Sequence, residues 1–282
     1  LAKQTRIALR HCGILDPTSI EDYIANGGIL SLCGMLTWYC AVSRGMPIAA
    51  AILIGMAAAL LTGVFIELCI YRHLRANGLP FLLTMIVSLG CMTVIQSLLS
   101  LLLGNNMKYF PSSAMLPTLF IGSVAIPGWQ LVCFGISGLL LIAMLLILNH
   151  TRIGSEIQAV ASNSEMARLI GIRPEKIYLV CMVIGTVLAA WVGAQEVICH
   201  GINAYGGMSF ALVGIVVKAI GGPRNTKGII LMGFIYGIVE NLALLAVPAK
   251  WSSSLAFVIF VVIVLVRATP QRVAMEKLGG GL

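Results

Sequence analysis

The sequence predicts an all-α, polytopic transmembrane bundle, and three observations predict it. Hydrophobic residues make up 59% of the 282 and charged residues 10%, against about a quarter charged in an ordinary soluble domain. Mean hydropathy is +1.01. The apolar residues come as long runs rather than as stripes, and a run of about 20 spans a bilayer as a helix. A transmembrane barrel would instead alternate over segments of about ten residues, a pattern absent from this sequence.

Eight apolar segments follow one another, at about 24–43, 47–70, 79–103, 129–148, 177–199, 206–220, 228–247 and 252–267. The first closes ahead of Arg44 and the second ahead of Arg72. The third carries a polar stripe. The fourth and fifth are plain spans separated by the longest inner polar break. The sixth is short, holds Lys218, and is flanked by Gly206-Gly207 and Gly221-Gly222, so it reads as tilted or broken rather than as a plain span. Irregular backbone at membrane depth must be covered by protein or line a cavity. The seventh holds Glu240, and the eighth is short. All belong to one transmembrane domain, residues 1–282.

The breaks fix the orientation. If 1–22, 71–78, 149–176, 221–228 and 268–282 share one side, that side holds fourteen Lys and Arg, counting boundary Arg267. The other side holds Arg44, Lys108 and Lys250. Cytoplasmic loops carry the excess of cations, so the first side, including the C-terminus, is expected in the cytoplasm. The 104–128 loop, rich in Pro, Gly and Ser, faces out. The net charge of +8 is thus an orientation signal spread over loops, not a nucleic-acid patch.

The 149–176 loop contains "ASNSEMARLIGIRP", with start and stop signals for a short helix. Ser162 and Glu165 read as a capping box, in which the hydroxyl takes an orphan N–H and the carboxylate reaches back. Met166, Leu169 and Ile170 fall at i, i+3, i+4, making one apolar face. Gly171 suits a left-handed stop and Pro174 prevents resumption. A helix of two turns is marginal alone in water. The bilayer surface, the rest of the chain or a partner groove must hold it.

The order "GSEIQAVASNSEMARLIGI", an apolar helix, "AIGG…KGIILMGFIYGIVENL" and "AFVIFVVIVLVRATP" resembles the branched-chain amino acid type of ABC-transporter permease. "GVFIELCIYRHLR" followed by "LLTMIVSLGCMTVIQ" looks like the same family's Glu-x-x-x-Tyr-Arg and Gly…Gln segments. The likeness covers roughly residues 60–270. It implies an inner-membrane subunit of a bacterial importer, with ATP and magnesium bound by a separate ATPase and no cofactor on this chain. It also implies a second permease chain, like or related, and an extracytoplasmic solute-binding protein. The loop helix would dock into a cleft of the ATPase through Glu165, Met166, Ala167, Arg168, Leu169 and Gly171. A large charged residue at Ala167 is expected to spoil docking and leave insertion intact. At the front, "GILD" resembles the family's Gly-Val-x-Asn turn, but a hydrophobic helix usually precedes that turn. Either the N-terminus is truncated or this member differs.

The sequence has no G-x-x-x-x-G-K-[ST] phosphate loop, so ATP hydrolysis is not expected of this chain. No His, Cys and carboxylate cluster has metal-ligand spacing. The eight cysteines form no C-x-x-C and read as packing residues. Intramembrane polar groups are the candidates for a substrate path. Glu240 and Asn241 sit mid-segment, where a carboxylate costs about 2.5–3.5 kcal/mol to insert. They border the path or fix packing, for example through a Lys218–Glu240 pair. Thr84, Ser88 and Cys91 share one face of the third segment and Gln96 and Ser100 another. Such residues suit a modestly polar pathway but also join helices. Glu67 is expected to pair with Arg72 or Arg75. Gly233-x-x-x-Gly237 reads as a close-packing motif.

The leading function is therefore the permease subunit of an importer for a branched-chain or other hydrophobic amino acid. The alternative is a self-sufficient ion-coupled transporter or channel, which predicts inverted repeats. An intramembrane enzyme would need paired catalytic groups, and the chain's two Asp residues, Asp16 and Asp22, lie at its front.

Overall fold

A computed structural model of the chain describes residues 17–76, 81–111, 119–121, 124–222, 226–246 and 258. Helix α1 (Pro17–Trp38) ends in a π-helical turn, Tyr39–Ser43. Helix α2 (Ile48–Ile66) runs through a second π-helical turn, Glu67–Tyr71, into α3 (Arg72–Ala76). Next come α4 (Phe81–Leu103), strands β1 (Leu119–Ile121) and β2 (Val124–Ile126), and α5 (Gly128–His150). The short α6 (Arg152–Ser162) and α7 (Ser164–Leu169) precede α8 (Pro174–Cys199), α9 (Gly207–Gly221) and α10 (Thr226–Ala246). Proline starts several of these helices: Pro47 and Pro127 sit at the N-caps of α2 and α5, and Pro174 opens α8. Its fixed φ suits the first turn, where its missing N–H costs nothing.

Five described stretches are long and apolar enough to cross a membrane: Ala25–Ser43, Ile48–Arg75, Leu83–Leu103, Gly128–His150 and Pro174–Cys199. Shorter apolar helices cover Gly207–Lys218 and Gly228–Leu242. Seven of the eight expected segments are thus helices, and 252–267 lies, but for residue 258, outside the described residues. The sixth is a continuous helix of 15 residues rather than a broken one. At 1.5 Å per residue it measures about 22 Å, short of the roughly 30 Å hydrocarbon core. The 104–128 loop is not wholly irregular. Leu119, Phe120 and Ile121 pair antiparallel with Ile126, Ala125 and Val124. Lys108 and Ile202 exchange backbone hydrogen bonds of 2.9 and 3.0 Å, and the Trp38 indole donates to the Tyr109 carbonyl at 3.0 Å.

By packing, the chain divides into two compact units, one of residues 21–209 and one continuing from Phe210. In the first, α1 is the central helix. Ala25, Ile29 and Cys33 of α1 meet Ala59 and Ile66 of α2 and Met182, Ala190 and Ala194 of α8 in one buried cluster. Leu30 and Met35 join Leu99 of α4 with Val197, Ile198 and Ile202 in another. The contact is backbone to backbone. A Cβ at Gly34 would lie 2.7 Å from the Gly193 oxygen, and one at Gly28 would lie 3.3 Å from the Met92 Cα. A Cβ at Gly193 would collide with the Leu30 carbonyl, and one at Gly63 with Thr186. Between helices in lipid, this intimacy replaces the hydrophobic drive available in water. In the second unit α9 and α10 pack through Val217, Ile220 and Tyr236. Gly233 and Gly237 make no such close approach among the described residues: a Cβ at Gly233 would meet Val217 at 3.9 Å, and one at Gly237 would meet nothing within 4 Å.

Gly193→Ala should lower the apparent melting temperature in detergent, because overpacking costs about 1–3 kcal/mol. Gly90→Ala, whose Cβ meets nothing within 4 Å, should leave it unchanged or raise it. Paired thermal scans of the two variants check this.

Candidate functional site

The segment between α5 and α8 is built from tight corners. Thr151 joins α5 to α6: its hydroxyl donates to the Ile147 carbonyl at 2.6 Å and accepts from the Gly154 N–H at 3.2 Å. A side chain at Gly154 would strike the Ile147 and Leu148 carbonyls. Helix α6 then buries Val160 against Ala167 of α7 and Ile177 of α8, with Ile157, Ile172, Tyr178 and Cys181 packed around them.

Helix α7 departs from expectation at its start and agrees at its stop. Ser162 is the last residue of α6. The cap is Asn163, whose side-chain oxygen accepts the Met166 N–H at 3.2 Å. Asn and Ser are near-equal caps, and α6 claims the serine for its own last turn. Glu165 begins no Ser162 capping box, and its side chain lies outside the described residues. Gly171 takes φ +88°. Its N–H donates to the Arg168 carbonyl at 3.1 Å, and the Ile172 N–H donates to the Ala167 carbonyl at 3.0 Å. These two bonds make a Schellman stop.

The faces of α7 also need a correction. Ala167 is 2% exposed, whereas Met166 is 61%, Leu169 80% and Ile170 73% exposed. Ala167 therefore anchors the helix to its own chain, and a charged residue there would disturb that packing rather than an outer surface alone. Arg168 reaches Glu175 of α8 at 2.5 Å. Both are exposed, so this pair contributes only about 0–1 kcal/mol. Glu156, Ile170, Gly171, Arg173 and Lys176 line an open groove beside the helix. The result is a short helix fixed at both ends and underneath, with three large apolar side chains turned outward.

The polar residues of α4 lie on its buried face. Thr84, Ser88 and Gln96 are 6%, 0% and 5% exposed, with Met92 between them. Gln96 thus extends the buried side of α4 that Thr84 and Ser88 begin, and Ser100, one turn further on, is half-buried. Ser88 donates to the Thr84 carbonyl at 2.9 Å and accepts from the Tyr71 hydroxyl at 2.8 Å. Gln96 is different: its Nε2 is buried without a hydrogen-bond partner among the described residues. Glu67 pairs with Arg75, one of the two arginines expected. In the second unit Glu240 is half-buried. Asn241 is exposed and donates to the Gly237 carbonyl at 2.8 Å. Among the described residues no group of three His, Cys, Asp or Glu could hold a metal ion.

Residues 23–264 match the family described as the branched-chain amino acid transport system permease component. The chain belongs to that permease family. Similar proteins include LivH of Escherichia coli, a high-affinity branched-chain amino acid transport system permease protein. It is 26% identical over 218 residues, covering 73% of this chain and 68% of LivH. BraD of Pseudomonas aeruginosa, a permease of the same description, is 25% identical over 214 residues, with the same two coverages. LsrC of Yersinia enterocolitica, an autoinducer 2 import system permease protein, is 26% identical over 245 residues, covering 79% of this chain and 63% of LsrC. No solved structure matches. The chain is thus a multi-pass membrane permease component.

Sequence reasoning missed Asn163 as the cap, Ala167 as an anchor and Tyr178 as a neighbour of Arg75. The adjacent Asn in "SNSE" was the available signal for the first. For this permease, Gly171→Ala should cost about 1–2 kcal/mol through the left-handed φ. Hydrogen exchange across 164–172 should accelerate while the α8 amides stay protected.

Proposed function

We propose that this chain is the membrane-spanning subunit of an ATP-driven importer, and that α7 is where a separate ATPase grips it. The observation that carries the reading is the outward face of Met166, Leu169 and Ile170 on a helix otherwise anchored by its own chain. Large apolar side chains clustered on a polar loop mark an interaction surface, and a capped, packed helix can transmit force. Loop charges put α7 and the C-terminus in the cytoplasm of a bacterial inner membrane. The partners are the ATPase subunits, which hold ATP and magnesium, a second permease chain, and a solute-binding protein at the outer face.

The cargo class is a small solute of modest polarity, with a branched-chain or other hydrophobic amino acid favoured by the LivH and BraD likeness. Gln96 is the best pathway residue of the first unit, because its amide group has hydrogen-bonding capacity that no described residue uses. Ser88 already spends its hydroxyl on the Thr84 main-chain carbonyl and on Tyr71, and Thr84 and Ser88 line the same buried side of α4. Glu240 and Asn241 are the pathway candidates of the second unit.

Leu169→Asp and Ile170→Asp alter exposed side chains and should change the chain's own stability by less than about 0.5 kcal/mol. Each should weaken ATPase co-purification at least about tenfold, as loss of a central apolar anchor does. Unchanged association would contradict the docking role, and leucine transport by the lone chain in liposomes would favour a self-sufficient transporter. Gln96→Leu should cut leucine uptake while ATPase association persists; unchanged uptake would remove Gln96 from the path.

A further inference from the structure

The turn after α2 and helix α3 hold a charged cluster that lies between the packing beneath α7 and the α4 stripe. Glu67 is 3% exposed and its partner Arg75 is 24% exposed. The other carboxylate oxygen, Oε2, is buried with no hydrogen-bond partner among the described residues. The Arg75 guanidinium lies 4.5 Å from the centroid of the Tyr178 ring and 6.0 Å from that of Tyr71. Tyr178 packs on the Val160–Ala167–Ile177 cluster that seats α7. Tyr71 is fully buried and donates to Ser88 of α4. One guanidinium therefore touches the base of α7 through Tyr178, and α2 and α4 through Glu67 and Tyr71.

We propose that Arg75 is a positioning residue that couples movement of α7 to the α2–α4 pair through the face of Tyr178. The inference rests on the reading of α7 as the ATPase docking site. Apolar contacts between helices let one slide past the other, but a cation over a ring attracts only while it faces that ring. Glu67 pairs with Arg75 through its other oxygen and keeps the guanidinium from leaving altogether. Arg75 is still exposed enough to come off Tyr178 when α8 shifts. The two arrangements, on the ring and off it, differ in contact energy, and a differential contact of this kind is what lets one site bias another. Adjacency alone does not make a transmission route, so the test reads energy transfer rather than proximity.

The complete transporter is reconstituted in liposomes with its ATPase subunits, second permease chain and solute-binding protein, and leucine uptake and ATP hydrolysis are measured on the same vesicles. Arg75→Gln and Tyr178→Leu should keep the ATPase bound, yet move about tenfold less leucine per ATP, a loss typical of coupling between sites. Tyr178→Phe keeps the ring and should stay close to wild type. A wild-type ratio in Arg75→Gln or Tyr178→Leu overturns the proposal. So does a Tyr178→Phe variant as impaired as Tyr178→Leu, or loss of ATPase binding in Tyr178→Leu, because the cluster would then be structural. If Arg75→Gln fails to accumulate, with Glu67 stranded, the two Tyr178 variants decide the question alone. A wild-type chain that binds no ATPase fails the docking reading instead, which separates the two.

Discussion

Backbone contact along α1 is the constraint on which the first unit depends. Lipid is as apolar as leucine, so helices in a bilayer gain little by merely hiding apolar surface from it. They hold together where small residues let main chains touch. Gly28, Gly34, Gly55 and Gly193 are such places, each with a neighbouring main-chain atom where a side chain would have to go, and Gly63 makes room for the Thr186 side chain of α8. They seat α1 against α2, α4 and α8, which begins at Pro174. The α6–α7 base is built on that beginning, through Ile177 and Tyr178. Helix α7, of six residues, has no rigidity of its own, so its position is inherited from the glycine seams that seat α8.

The spans were legible because a helix that meets lipid must be apolar along its whole length, and hydropathy records this directly. The stop of α7 was legible for a local reason: a left-handed residue favours glycine, and Gly171 stands there. The start of α7 was not, because Ser162 and Asn163 are both good caps and the choice depends on how far α6 extends. Ala167 was misplaced for a related reason. Its small side chain carries no periodic signal, and only the packing of Val160 and Ile177 on it shows that it faces inward. The Gly233–Gly237 spacing meets no close neighbour among the described residues, since a motif records what could approach and not what does.

The candidate pathway shows the same division between local and tertiary information. That Glu67 would pair with a nearby arginine follows from charge and spacing. That Arg75 also faces Tyr178, over a hundred residues away in the chain, does not. Nor could spacing alone place Gln96 beside Thr84 and Ser88. A face four residues apart per step winds slowly round the helix, and only neighbours on both sides decide where burial ends. The family is legible in the sequence because the order of several weak segments, rather than any one of them, marks it.

The account stands or falls on α7 being gripped by another polypeptide. A photo-reactive amino acid at Leu169, whose side chain is 80% exposed, can be activated in native membranes and its adducts identified by mass spectrometry. The account predicts one dominant adduct, with a nucleotide-binding ATPase subunit. Adducts with lipid alone, or none with any other chain, would contradict it.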